Sequence, residues 1–297
     1  MGLDSLIGDA GHARLVQSRH GYLLHNVHDI YIGRSIATYG EYSEGEVGLF
    51  AQICGPGDLV VEAGSNIGAH TVPLAQMVSP GGYVYAFEPQ RSVYQILCAN
   101  VALNSLSNVR AYQLALASEA GSAYIPNVSY EADGNFGGIS LSKMPNENTV
   151  AVHQLIIDDL LDLPRLRLLK VDVEGMEVDV LRGAEQTIQR LRPVIYVEND
   201  RPEASESLIR LISDMGYVLH WHVVPLFNTR NFAGISENVF PGIDSINMLA
   251  TPAEMNARIV GLIPVADATD HPLREQTQLR NLRSSVVHFS ENARGGG

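Results

Sequence analysis

An α/β fold, a mostly parallel sheet with helices on both faces, is predicted by three features of the sequence. From Leu59 onward, short apolar runs alternate with longer segments of helical period. The runs are apolar throughout, as in strands covered on both sides, and their alternation with helices indicates parallel pairing. The chain is also long enough to bury a sizeable core: it has 297 residues, 45% of them hydrophobic and 18% charged, and shows no internal repeat.

Residues 1–57, richer in His, Tyr and Gly, are read as a partly helical N-terminal extension that packs on the core as a lid. The core domain spans 58–255. Its first strand is Leu59 to Ala63, and the helix after it, Ile67 to Met77, stops at Pro80-Gly81-Gly82. Tyr83 to Phe87 is the second strand, followed by a helix over Ser92 to Leu103 that ends at Asn104. Val109 to Leu114 is the third strand, and 118–157 reads as a strand-rich excursion before the fourth, Leu166 to Val171. A helix over Glu177 to Leu191 is halted by Pro193, Pro193 to Val197 forms the fifth strand, and a helix over Glu203 to Met215 ends at Gly216. Tyr217 to Val224 and Ile243 to Ala250, joined by a polar loop with Asn228, Asn231 and Asn238, read as an antiparallel closing hairpin. Residues 256–297 are a C-terminal extension, with a short helix after Pro264 and a flexible tail that frays at Gly295-Gly296-Gly297.

Twenty Lys and Arg against 33 Asp and Glu give a formal net charge of -13, with a pI near 5.1. That field opposes nucleic-acid backbones and anionic lipid and leaves a small molecule or another protein as partner. The first thirty residues carry no basic start followed by an apolar core, and no apolar run is long enough for a membrane span, so a soluble chain is expected. Two cysteines, Cys54 and Cys98, supply neither a disulfide framework nor a zinc site, which suits a reducing cytoplasm.

The densest local signal is Val60-Val61-Glu62-Ala63-Gly64-Ser65-Asn66-Ile67-Gly68-Ala69-His70-Thr71, an apolar strand that enters a glycine-bearing turn and then a helix. Gly64 and Gly68 would let the backbone approach a ligand without a Cβ in the way, and the N–H groups at the helix start would favour a carboxylate or phosphate. The dinucleotide fingerprint needs G-x-G-x-x-G, whereas here the glycines fall as Gly64-x-x-x-Gly68 with an acid, Glu62, two residues before the first, so NAD is disfavoured. Phe87-Glu88-Pro89 then places a carboxylate at the end of the second strand, where an acid can accept both ribose hydroxyls of an adenosine. Lys170, Asp172 and Glu174 stand at alternate positions where the fourth strand closes, and in an open α/β sheet they would face the same cleft. An internal ion pair that merely fixes the strand is the alternative use of those charges.

These residues resemble the FkbM-type methyltransferases. The likeness runs through Glu62 to Thr71, through Phe87-Glu88-Pro89-Gln90 with Asn100 and Asn104, and most specifically through Leu169-Lys170-Val171-Asp172-Val173-Glu174-Gly175-Met176-Glu177 on to Val180-Leu181-Arg182-Gly183. It continues in Val197-Glu198, Phe227-Asn228-Thr229-Arg230-Asn231-Phe232 and Asn247-Met248-Leu249, so it covers about residues 30–250. The resemblance implies a Rossmann-like seven-stranded sheet and methyl transfer from S-adenosylmethionine to a hydroxyl of a sugar, polyketide or related metabolite. It implies that Glu88 binds the ribose and that Glu62, Gly64, Asn66, Gly68 and Thr71 surround the methionine and ribose portion. The family more often shows Asp where this chain has Glu62.

In-line methyl transfer asks for alignment of acceptor and donor and for removal of a proton. Asp172 is the first candidate for general base or acceptor anchor, Glu174 the second, with Lys170 as electrostatic partner. Asn228 and Asn231, together with Asn135 in the segment Tyr130 to Leu141, would wall the acceptor pocket, and Tyr39-Gly40-Glu41-Tyr42 would form a lid. No metal is expected, although Asp158, Asp159 and Asp162 could join Asp172 around Mg²⁺, with helix capping as their commoner use. His220 and His222 share a strand face but lack an evident third ligand. N-methylation, a nucleotide-sugar or NAD-dependent enzyme on a similar sheet, and a non-catalytic binding protein remain as other readings. The Tyr and His of the first fifty residues suit either a homodimer contact or a cover for the cofactor.

Overall fold

The computed structural model describes residues 11–273 and 287–291. Strands β1 (Ala13–Ser18) and β2 (Gly21–Asn26) form a hairpin, followed by helices α1 (Ile32–Tyr39) and α2 (Glu44–Ile53). The core opens with β3 (Leu59–Ala63), α3 (Thr71–Val78), β4 (Tyr83–Phe87), α4 (Arg91–Leu103) and β5 (Val109–Tyr112). Next come β6 (Ala115–Leu116), β7 (Gly121–Pro126), β8 (Thr149–Leu155) and the single turn α5 (Ile157–Leu160). The chain returns through β9 (Leu168–Val171), α6 (Glu177–Arg182), α7 (Glu185–Leu191), β10 (Val194–Glu198) and α8 (Pro202–Asp214). It closes with β11 (Tyr217–Pro225), β12 (Asp244–Pro252), β13 (Arg258–Val260), β14 (Ile263–Pro264) and β15 (His288–Ser290).

The main sheet has the order β14-β11-β12-β10-β9-β3-β4-β5. Its five strands from β10 to β5 are parallel, and β12 and β11 add antiparallel, as the closing hairpin requires. All seven expected strands are present, and the two-residue β14 extends the edge beyond β11. Each central strand divides its side chains between two cores. Leu59, Val61 and Ala63 face the layer of α6, α7 and α8, while Val60 faces α2, α3 and α4. Burial on both faces explains why these strands read as unbroken apolar runs.

Several boundaries differ from the sequence reading for physical reasons. The helix expected from Ile67 begins at Thr71, because Gly64, Asn66 and Gly68 take left-handed backbone angles that keep the preceding turn open. The helix expected over 177–191 is broken at Gly183, where an added Cβ would meet the Ala117 carbonyl oxygen at 2.0 Å. Strand β5 stops at Tyr112, because the chain then leaves the sheet to pair Ala115–Leu116 with β8. The excursion over 118–157 does carry strands, in a three-stranded sheet of order β6-β8-β7. No helix occurs between Pro264 and Leu273, and the rest of the expected helix and tail lies outside the described residues, apart from β15. Among the described residues, no helix is long and apolar enough to cross a membrane.

Candidate active site

The carboxyl ends of β3, β4, β9 and β10 form one edge of the sheet, and the turn after β3 shapes it. Gly64 and Ser65 donate their N–H groups to the Phe87 carbonyl at 3.0 and 2.9 Å. Glu88 locks the turn from the next strand: Oε2 accepts from the Asn66 N–H at 3.0 Å and Oε1 from the Gln90 N–H at 2.8 Å. Burial pushes the Glu88 carboxyl up to about 7 although both amides favour its charged form. The need for glycine at Gly64 comes from the protein itself, since a Cβ there would lie 1.7 Å from the Asp172 carbonyl oxygen. At Gly68 it would lie 2.8 Å from Leu97 of α4.

Register places Glu62, Lys170 and Tyr196 in one row across three strands, all on the face of α2 and α3. Lys170 is 2% exposed, and its Nζ lies 2.9 Å from Asp172 Oδ2 and 4.0 Å from Glu62 Oε1. Burial pulls Lys170 down, but Asp172 and Glu62 outweigh it and hold the ammonium above its usual range. Glu62 is pushed up by burial, against Lys170 and the Thr71 hydroxyl, which donates to Glu62 Oε2 at 2.5 Å. Glu174 lies beyond the strand with left-handed backbone, and its Oε2 accepts from Arg201 Nη2 at 2.6 Å. Burial and the Asp172 charge push its carboxyl up to about 7. Lys170 and Asp172 are thus a pair, and Glu174 belongs to a second pair with Arg201.

These groups open into a cavity of about 430 Å³ that Glu62, Gly64, Asn66, Glu88, Asn135, Lys170, Asp172 and Glu174 all line. Against it lies a slot of about 40 Å³ between apolar side chains, among them Phe87, Leu114, Leu116, Ile139 and Leu141. Gly68 and Thr71 are absent from both linings, and Thr71 acts through Glu62. Asn135 also accepts from the Gly138 N–H at 2.9 Å, so it shapes its own turn.

The structure places Asn228 and Asn231 in the loop between β11 and β12 but off the cavity wall. Asn228 Nδ2 donates to Glu41 Oε1 at 2.7 Å, and Asn231 Nδ2 donates to the carbonyls of Asn228 and Ile235 at 2.9 and 2.7 Å. Glu41 also takes Arg19 at 2.6 Å and the Phe232 N–H at 2.8 Å, so it ties this loop to the N-terminal segment, whose Tyr42 does reach the cavity. Asp158 caps α7 through the N–H groups of Gln186 and Thr187 at 2.9 and 2.8 Å, as capping predicts. His222 is spent on the Tyr196 hydroxyl at 2.8 Å.

Sequence reasoning assigned no role to Glu198 or Arg201, both on the cavity wall, where Tyr42 of the expected lid also lies. Glu198 ends β10 as Glu88 follows β4, so its place after a buried parallel strand was the available signal. Burial, with Asp172 and Glu174 nearby, holds its carboxyl well above the usual carboxylate range. His70 is buried against Tyr42 and Phe50, which lowers it to about 3 and keeps it neutral.

Residues 62–219 match the methyltransferase FkbM domain. Methyltransferase sdnD of Sordaria araneosa is 32% identical over 193 residues, which cover 53% of this chain and 73% of that protein. Methyltransferase 1 of Beauveria bassiana is 32% identical over 158 residues, 47% of this chain and 63% of that one. The hexuronic acid methyltransferase AglP of Haloferax volcanii is 28% identical over 141 residues, 46% of this chain and 54% of that one.

Proposed function

This chain belongs to the FkbM methyltransferase family, an S-adenosylmethionine-dependent enzyme, and from that premise we propose that it methylates a hydroxyl oxygen on a sugar, polyketide or related small metabolite. The observation that carries the proposal is that Glu88 and Asp172, from different strand ends, open into one cavity of about 430 Å³, a size suited to a small-molecule site. The residues present fit the cofactor. Glu88 suits the ribose hydroxyls, and the turn at Gly64 and Asn66 the amino-acid portion. When bound, S-adenosylmethionine supplies a methyl group on an electron-poor sulfonium.

The chain's own residues then do the rest. Asp172 accepts or orients the acceptor's hydroxyl proton, and Lys170, held between Glu62 and Asp172, fixes that carboxylate in place. Glu174, drawn toward Arg201, borders the same space. The name of the Haloferax relative, a hexuronic acid methyltransferase, supports a sugar-like acceptor. The thiols of Cys54 and Cys98 are unpaired, which supports work in the reducing cytoplasm.

The test is calorimetric titration with S-adenosylmethionine and S-adenosylhomocysteine, then mass spectrometry of hydroxylated and aminated acceptors incubated with the enzyme. One cofactor per chain and a methyl group on oxygen are expected, and Asp172→Asn should keep cofactor binding while losing most turnover. Transfer only to nitrogen would overturn the acceptor assignment. Near-normal turnover by Asp172→Asn would remove that residue from the role.

A further inference from the structure

Asp172 directly follows β9 and Glu198 is the last residue of β10, each one place beyond the facing pair Val171 and Val197. Glu174 comes from the loop after β9, and one carboxylate oxygen from each of the three lies within 4.8 Å of the others. Asp172 and Glu174 each have a cation, Lys170 and Arg201 respectively. Glu198 has no ion pair among the described residues, and its Oε2 is shut off from solvent without a hydrogen-bond partner. An unpartnered carboxylate oxygen beside two other carboxylates is disfavoured twice, by lost hydration and by like charge. A cation or a shared proton would relieve both at the point where the three converge.

We propose that Asp172, Glu174 and Glu198 hold a divalent cation of the hard, oxygen-preferring class, Mg²⁺, Mn²⁺ or Ca²⁺. The ligand set contains only carboxylate oxygen and no sulfur or imidazole, which selects that class over zinc or copper. All three residues line the cavity of about 430 Å³, so water or acceptor oxygens have room to complete the coordination. The lining also includes Glu62, Glu88, Asp200 and Asp244 against the cations Lys170 and Arg201. A bound cation offsets that excess where it is most concentrated. The site stands on this geometry and not on the identity of the methyl acceptor.

The test uses the full chain stripped with EDTA and titrated with MnCl₂, read by calorimetry and by the loss of free Mn²⁺ signal in electron paramagnetic resonance. One Mn²⁺ per chain is expected, displaced by Mg²⁺ or Ca²⁺ and weakened at least tenfold by Glu198→Gln. Asp159→Asn, an acid outside the cluster, should leave the Mn²⁺ affinity unchanged. If Glu198→Gln fails to fold by circular dichroism, Glu174→Gln replaces it. No Mn²⁺ binding to the wild type, or equal binding by the cluster variants, overturns the site and leaves a shared proton as what neutralises the three carboxylates. S-adenosylhomocysteine binding to the same stripped protein separates this result from failure of the methyl-transfer reading.

Discussion

If Glu88 receives the ribose hydroxyls, cofactor affinity must follow the ionisation of one buried carboxyl. Its oxygens already accept from Asn66 and Gln90 at 3.0 and 2.8 Å, so the side chain is held in place before any ligand arrives. With burial pushing the group up to about 7, roughly a tenth is ionised at pH 6 and about nine-tenths at pH 8. Only the ionised form is a strong acceptor for both hydroxyls, so S-adenosylhomocysteine should bind about eight- to tenfold tighter at pH 8 than at pH 6. Glu88→Gln removes the titration together with charge-assisted bonds of about 1.5–3 kcal/mol, so it should weaken binding at pH 8 by roughly 10- to 150-fold. Calorimetry of both proteins at pH 6, 7 and 8 measures this, and the difference between their slopes isolates Glu88 from other groups in the cavity. Equal slopes, or equal affinity at pH 8, would refute the ribose assignment. The same shift bears on stability with a fixed sign. The folded protein keeps a proton that the unfolded chain begins to release near 4.5, so this group's contribution to stability is full below 4.5 and is lost as pH rises through about 7.

Gly64→Ala should destabilise the fold by more than about 2 kcal/mol, because its φ of +82° disfavours any Cβ and the added atom would lie 1.7 Å from the Asp172 carbonyl oxygen. A sharp drop in Tm or soluble yield checks this, and a Tm within a degree of the parent would show that the turn relaxes. Thr71→Val leaves buried Glu62 Oε2 without its 2.5 Å donor and should cost about 1–3 kcal/mol in urea unfolding, although Thr71 lines no cavity. Asn228→Ala removes a donor to buried Glu41 and should lower stability by about 1–3 kcal/mol while leaving S-adenosylhomocysteine affinity unchanged. A change in cofactor affinity without loss of stability would place Asn228 in binding and not in bracing the loop.

The parts legible in the sequence were those with a single cause. Buried parallel strands must be apolar on both faces, so Leu59–Ala63, Tyr83–Phe87 and Val194–Glu198 stand out within a residue of their bounds. Glu88 stood out because it follows the glycine turn at the distance a ribose-binding acid would take, although an acid after a strand more often caps a helix. Hidden parts depend on contacts between segments far apart in the chain. The reason for glycine at position 183 lies at the Ala117 carbonyl, and the reason for glycine at position 64 at the Asp172 carbonyl. Asn228 and Asn231 carry the composition of a binding loop, yet their amides hold that loop to itself and to Glu41. Alternation put Lys170, Asp172 and Glu174 at one cleft, and all three line it, although β9 ends at Val171 and the left-handed backbone of Glu174 turns it toward Arg201.

The row across β3, β9 and β10 shows how the sheet converts position into chemistry. One step inside its carboxyl edge, Glu62, Lys170 and Tyr196 lie side by side on one face, and two residues further along stand Asp172 and Glu198. Toward the strand starts, the same face is filled by Val60, Leu168 and Val194, so the change from apolar to ionisable occurs within two residues on each strand. A lone lysine that is 2% exposed would shed its proton. Lys170 keeps it because Glu62 and Asp172 flank it, and Glu62 in turn is secured by Thr71 from the next helix. Asp172 and Glu174 at the rim are therefore each held by a cation, Lys170 and Arg201, whereas Glu198 has no ion pair among the described residues. Buried ion pairs seldom add net stability over apolar packing, so a row of them along the one edge where ligands enter an open α/β sheet is better explained by what they bind than by what they hold together.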